Sequence, residues 1–230
     1  MSWMDVTRPL QPDLAGWPGD TPVRLEQRWS RLRGDSVTVG LFQHSLHAGT
    51  HCDAPLHFLT DGAGAESLDP TVLCGPTLVI DARGQEVIDL ATLPRSGVGR
   101  AASAGADSSG AGIQADQGCP QRVLLRTDAW PDSRMFPARI PVLRREAIDR
   151  LAEAGVRVVG VDLPSVDPLD CPRLTNHHAL HQAGIMILEG LELTRIAPGH
   201  YEMLALPLLI PGADGTPVRA LLRKIGRAHV

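Results

Sequence analysis

Within Leu46–His57, the side chains of His47, His51, Asp53 and His57 fall at intervals of four, two and four residues around Gly49 and Pro55. Imidazole nitrogens with a carboxylate suit Zn2+ or Mn2+, and an aspartate can bridge two ions with its two oxygens. A lone histidine is ordinarily a hydrogen-bonding group of core or surface, but this density with an interleaved aspartate is hard to explain by packing. A helix would put His47 and His51 on one face, yet Gly49 and Pro55 weaken it, so the spacing predicts a loop after a strand that ends near Leu46. Cys52 sits inside the cluster as a small buried apolar side chain, with thiolate ligand or nucleophile as the alternatives. A Cys52 nucleophile would predict inactivation by thiol alkylation and tolerance of chelators.

A second group, Asn176-His177-His178-Ala-Leu-His181, precedes Gly184-Ile-Met-Ile-Leu-Glu189, where a short apolar run delivers a carboxylate at its end. His177 and His181 would share a helical face, a geometry that binds metal by itself, while His178 would point elsewhere. Spacing alone does not choose among these three.

The elements that must position these groups are short. Apolar segments rich in β-branched residues and bounded by Gly or Pro predict strands over Ser36–Leu46, Gly75–Asp81, Arg122–Thr127, Val156–Asp162, Ile185–Leu188, Tyr201–Leu208 and Pro217–Leu222. Helices are expected over Leu143–Ala154, stopped by Gly155, and over Thr175–Ala183, with Asn176 as the cap and Gly184 as the stop. Many strands with few helices imply a single-domain α/β chain whose mixed, barrel-like sheet differs from a doubly wound parallel one. Residues 96–120, rich in Gly, Ala, Ser and Asp, carry too little apolar bulk to offset their ordering entropy and suggest a flexible insertion. The last seven residues, Lys224–Val230, match the translation of a common sequencing-adapter string, so the domain is expected to span 1–223 and His229 is set aside.

At 230 residues the chain suits one sizeable domain. A net charge of -4 supplies no general attraction to phosphate backbones, which argues against nucleic acid as a partner. No apolar run is long enough to span a bilayer and the first residues lack a signal pattern, so a cytoplasmic location is the expectation. Cys52, Cys74, Cys119 and Cys171 lack CxxC spacing and are expected as reduced thiols.

The string His47-Ala-Gly-Thr-His51-Cys-Asp53-Ala-Pro-Leu-His57 resembles the HxGTHxDxPxH signature of the metal-dependent cyclase family. The likeness extends to Trp17-Pro-Gly-Asp20-Thr-Pro, Arg122–Thr127, Gly160-Val-Asp-Leu-Pro-Ser-Val-Asp-Pro168, His177 with Glu189, and Tyr201–Pro207 followed by Pro217–Leu221. It implies a swivelling β/β/α fold and fits the formamidase branch best. By that resemblance His47, His51 and Asp53 hold one Zn2+, Asp53 bridges to a second held by His177, and Glu189 contacts both, with Mn2+ as the other candidate. His57 becomes the acid/base group, Trp17 the aromatic face against the substrate, and the assembly a homodimer. The reaction implied is hydrolysis of the aryl formamide N-formyl-L-kynurenine to L-kynurenine and formate. Rivals are a sister activity on isatin or another cyclic or aryl amide, and a non-catalytic metal-binding protein on the same scaffold.

Overall fold

Apolar side chains alternate along the central segments, and that alternation decides which face each one buries. In the computed structural model, which describes residues 2–91, 93 and 120–225, the chain forms β1 (Met4–Asp5), β2 (Arg24–Trp29), β3 (Val39–Gln43), β4 (His51–Asp53), β5 (Cys74–Asp81), β6 (Val87–Ile88), β7 (Arg122–Arg126), β8 (Val142–Leu143), α1 (Arg145–Glu153), β9 (Val158–Val161), α2 (Thr175–Gln182), β10 (Met186–Glu189), β11 (Gly199–Pro207) and β12 (Gly215–Lys224). Successive strand side chains point to opposite faces. Val79, Leu124, Val158 and Leu188 accordingly join one buried cluster with Met203, Ala205, Ala220 and Leu222. Their neighbours Leu78, Val123, Val159 and Ile187 join another with Ile148 and Leu151 of α1 and Leu180 of α2. Burial on both faces explains why these segments read as nearly continuous apolar runs.

The sheet order is β1-β12-β11-β5-β7-β9-β10-β4, and β4 pairs again with β12. That last pairing closes seven strands into a barrel-like ring, as the fold expectation required. The ring is mixed: β5, β7, β9 and β10 run parallel to their neighbours in that series, whereas β4, β11 and β12 pair antiparallel. On one edge of β12, Gly215–Pro217 pair with β4 while Leu221 and Leu222 pair with β1, so β1 takes over the edge that β4 leaves. The α1 stripe Ala147, Ile148 and Leu151 is buried, which supplies the tertiary packing that a helix of this length needs.

Two details differ from the sequence reading. The strand expected to reach Leu46 ends at Gln43, and His51–Asp53, expected in a loop, form strand β4 between β10 and β12. Three residues are too short to show a period, which hid this strand. Asn176 does not cap α2: its side chain donates to the carbonyls of Leu143 and Val166, and the carboxylate of Asp167 accepts the helix's first N–H groups instead. Gly184 does end that helix, with a positive φ of 69°. Residues 96–119 and 226–230, read from sequence as insertion and tail, lie outside the described residues; Lys224 still lies on β12, opposite Tyr201. Among the described residues no helix is long and apolar enough to cross a membrane.

Candidate metal centre

Strand β4 does the positioning. Because His51 and Asp53 are two residues apart, both point to one side of the strand, and Cys52 points to the other, where it is fully buried in the apolar cluster. The antiparallel partner sets Glu189 opposite His51. Gly190 makes that approach feasible, since a Cβ there would lie 1.9 Å from the carbonyl oxygen of Gly49. His47 enters from the turn before β4 and packs over Gly215, where a Cβ would meet its ring at 2.8 Å. His177 arrives from the first turn of α2.

These five side chains meet in one buried pocket. His51 Nε2 lies 3.3 Å from Asp53 Oδ1 and 3.5 Å from Glu189 Oε2. His177 Nε2 lies 3.3 Å from Asp53 Oδ2 and 3.6 Å from Glu189 Oε1. His47 Nδ1 lies 3.1 Å from Asp53 Oδ1. Two sets of potential ligand atoms, from His51, Asp53 and Glu189 and from His47, Asp53 and His57, each fall within 4.8 Å of one another and share Asp53. His178 and His181, left open by spacing, face Phe58 at 5.6 Å ring separation instead.

The electrostatics fit a cation. Burial opposes charge on His51 and His177, yet the carboxylates close to them outweigh it and push each imidazole up to about 10: Asp53 and Glu189 act on His51, Asp167 and Asp53 on His177. Asp53 resists burial likewise, and the imidazoles of His177, His47 and His51 hold it well below the usual carboxylate range. Protons on the imidazoles thus stand where a divalent ion would supply positive charge. His51 Nε2 and Asp53 Oδ2 are buried without a hydrogen-bond partner, an expensive arrangement unless a further group engages them. The nitrogen and oxygen donors present therefore fit a divalent metal site.

Asp167, which the spacing of histidines did not single out, orders this centre. Its Oδ2 accepts from His177 Nδ1 at 2.7 Å and from the His177 backbone N–H at 3.1 Å, while Oδ1 accepts from Asn176 N–H and the Thr175 hydroxyl. With Nδ1 so engaged, Nε2 is the nitrogen turned toward Asp53. Carboxylate-to-histidine contacts of this kind orient metal ligands and raise their basicity. Asp214 was also missed: its Oδ2 lies 3.1 Å from His47 Nε2 and 4.0 Å from His57 Nδ1, at the end of a Pro-Gly-Ala turn that carries no sequence signal.

The pocket opens into a cleft of about 300 Å³ walled by Trp17, Trp130, Phe136, His47, His57 and His177. Phe136 meets the edges of Trp17 and Trp130 at ring separations of 5.3 and 6.1 Å. The buried Arg8 guanidinium stacks 3.9 Å from the Trp130 ring, which fixes that wall. His57, half-buried at the cleft, is pushed down to about 4 by burial and by the neighbouring imidazoles, although Asp53 works the other way. It is a neutral base near pH 7.

Fold and pocket define the class: a closed mixed barrel whose buried histidine and carboxylate donors are compatible with divalent cations, opening on an aromatic cleft. The cyclase family model, described as "Putative cyclase", matches residues 4–168, and the chain belongs to that family. It is 42% identical over 226 residues to a kynurenine formamidase of Bacillus cereus, covering 97% of this chain and 98% of that one. A kynurenine formamidase of Geobacillus thermodenitrificans is 40% identical over 227 residues, with the same coverage. Isatin hydrolase A from Labrenzia aggregata, solved bound to benzyl benzoate, superposes with a TM-score of 0.75 at 23% identity, over 96% of this chain and 93% of that one, a likeness of fold.

Proposed function

We propose that the chain is a metal-dependent hydrolase that converts N-formyl-L-kynurenine to L-kynurenine and formate. Its metal ligands would be His47, His51, Asp53, His177 and Glu189, its cofactor two Zn2+ ions per subunit, with Mn2+ as the alternative. The observation that carries this reading is the pair of orphaned, buried donor atoms on His51 and Asp53 at the floor of an aromatic cleft; the full-length likeness to kynurenine formamidases names the substrate. Divalent cations in such a donor set supply an acidified water and a positive field for the oxyanion of an amide under attack.

The chain's own residues supply the rest. Trp17, Trp130 and Phe136 offer flat apolar faces for the aryl ring, holding the formyl group toward the donor pocket. His57, neutral near pH 7, takes a proton as the tetrahedral centre forms and returns it to the departing arylamine nitrogen. Its Nδ1 faces Asp214, which leaves Nε2 for that transfer. Neither a serine nor a cysteine nucleophile is required.

We also propose a cytoplasmic homodimer. Every residue of strands β2 and β3 is exposed, with Leu25 opposite Phe42 on one face and Trp29 opposite Val39, beside Leu41, on the other. A bare two-stranded hairpin is marginal in water, and apolar side chains exposed on both of its faces mark an interface. Light scattering on the eluted protein would give twice the chain mass; a monomer refutes it.

Elemental analysis of the purified protein, coupled to assays on N-formyl-L-kynurenine and on isatin before and after chelation, tests the reading. Formamide turnover that is lost with the metal and restored on its return supports it. Turnover of isatin alone transfers the protein to the rival activity, and bound metal without hydrolysis makes it a non-catalytic binder.

A further inference from the structure

A second cleft, of about 390 Å³, lies on the far side of His57, walled by Leu56, His57, Phe58, Thr60, Arg173 and His178 among others. His57 and Leu174 line both this cleft and the aromatic one, so the two share a wall at the acid/base histidine. Arg173 is the one Lys or Arg among its lining residues, and it is exposed. Where Arg83 and Arg134 each fold back on a carboxylate two residues earlier, Asp81 and Asp132, no carboxylate among the described residues lies within ion-pair distance of the Arg173 guanidinium.

We propose that Arg173 is a binding residue for the α-carboxylate of an amino-acid substrate, in a subsite that adjoins the metal pocket along His57 and Leu174. The inference rests on the formamidase reading and narrows its substrate class to aryl formamides that carry a carboxylate. A guanidinium presents parallel N–H donors that match a carboxylate's two oxygens, a pairing that gives orientation as well as affinity. His178, whose ring meets Phe58 at 5.6 Å, lines the same cleft.

The backbone ties this arginine to the metal centre. Arg173 sits between Pro172 and Leu174, which is held at φ 45° and ψ 49°, an unusual conformation for a bulky residue. The Leu174 carbonyl accepts from His178 N–H at 3.0 Å, and the Leu174 N–H donates to Cys171. The turn bearing Arg173 is therefore fastened to the same helical turn that delivers His177. In formylkynurenine the amino-acid chain is ortho to the formamide, so a formyl group at the donor pocket and a ring against Trp17 send the carboxylate past one side of the ring. Isatin, neutral and without that chain, has nothing to place there.

Steady-state kinetics of the metal-loaded protein and of Arg173→Gln and Arg173→Lys, on N-formyl-L-kynurenine and on formanilide as the carboxylate-free probe, provide the test. The readout is the ratio of kcat/KM for the two substrates. Arg173→Gln lowers that ratio about 10- to 100-fold, the range for a lost charge-assisted pair, mostly through KM; Arg173→Lys lowers it less. A ratio within about twofold of the wild type overturns the subsite while leaving the formamidase reading intact. Absence of wild-type turnover of formylkynurenine overturns the reading, and the subsite with it. Metal content of each variant, measured alongside, separates a carboxylate effect from a disturbed centre: a ratio that falls only in step with lost metal also refutes it.

Discussion

Replacing Asp167 by Asn changes one oxygen to an amide nitrogen in a fully buried position, and the four contacts of that carboxylate fix the consequences. Each oxygen accepts two hydrogens, from Thr175 and Asn176 on one side and from the His177 backbone and ring on the other. Whichever way the asparagine settles, its NH2 meets one backbone N–H, of Asn176 or of His177, and leaves it unpaired, whereas the Thr175 hydroxyl or the His177 ring can turn to accept. At about 1–3 kcal/mol for a buried unpaired group, the variant should lose a similar amount of stability. The second effect is specific to the centre. Burial disfavours the Asp167 charge, but the His177 ring and the helix N–H groups hold its carboxyl below the usual range, so the native partner of His177 is an anion. A neutral partner weakens the imidazole as a ligand and frees its orientation, for which about 10- to 100-fold in metal affinity is expected. Competition against a chromophoric chelator measures this directly, and thermal unfolding reports the first effect. Thr175→Val serves as the control, since it removes the hydroxyl contact to Oδ1 and leaves the imidazole contact untouched. It should cost stability while keeping metal affinity. If Asp167→Asn is destabilised yet binds metal as tightly as the wild type, Asp167 is only a helix cap.

Four further outcomes are expected. His57→Ala should retain its metal but lose about 10²- to 10⁴-fold in kcat; because His57 also falls within reach of His47 and Asp53, a variant that loses metal would make it a ligand. Metal uptake at pH 8 by the chelated protein should release about two protons, since His51 and His177, each near 10 without metal, must give theirs up to coordinate. Calorimetry in buffers of different ionisation enthalpy reads the number, and zero release would refute it. The same raised values stabilise the metal-free fold fully below about pH 6.5 and lose that contribution as pH rises through about 10, so its Tm should fall over that interval. Thiol alkylation should spare activity that chelators abolish, because burial and the nearby carboxylates of Asp53 and Glu189 push the Cys52 thiol up, away from the reactive thiolate. Rapid inactivation by iodoacetamide with one label on Cys52 would count against the metal reading.

Much of this architecture is legible in sequence where a segment is long enough to carry a period. The strands at Cys74–Asp81, Arg122–Arg126 and Val158–Val161 and both helices fall where apolar runs bounded by Gly or Pro and glycine stops put them. Short elements are not legible: β4 has three residues, and its strand character comes from pairing with β10 and β12, partners more than a hundred residues away. The histidines and acids that converge were identifiable by type, and the family likeness chose His177 among its neighbours. Asp167 and Asp214 escaped because their roles are relational. An aspartate near a proline is a common turn residue, and only the packing of α2 against β10 turns Asp167 toward a histidine ring.

The position of the donors within the barrel follows from how the ring closes. Four strands run parallel, and in this chain the ring is closed by antiparallel strands at the seam, where β4 joins β10 to β12 and so leaves neither edge exposed there. A strand so short can hold the seam only if both its edges are paired and its side chains are satisfied on both faces. Cys52 meets that need on one face with apolar contact. On the other, His51 Nε2 and Asp53 Oδ2 are buried polar atoms with charged neighbours at 3.3 Å and beyond but no hydrogen bond. A hydrophobic pair at those positions would close the barrel at less cost, so two such polar atoms at the seam are what the metal site proposed above would require. Substituting His51→Phe with Asp53→Leu should therefore abolish metal binding yet leave the barrel folded, with circular dichroism and Tm comparable to the metal-free wild type; unfolding of this double variant would show that the polar pair itself, without metal, holds the seam.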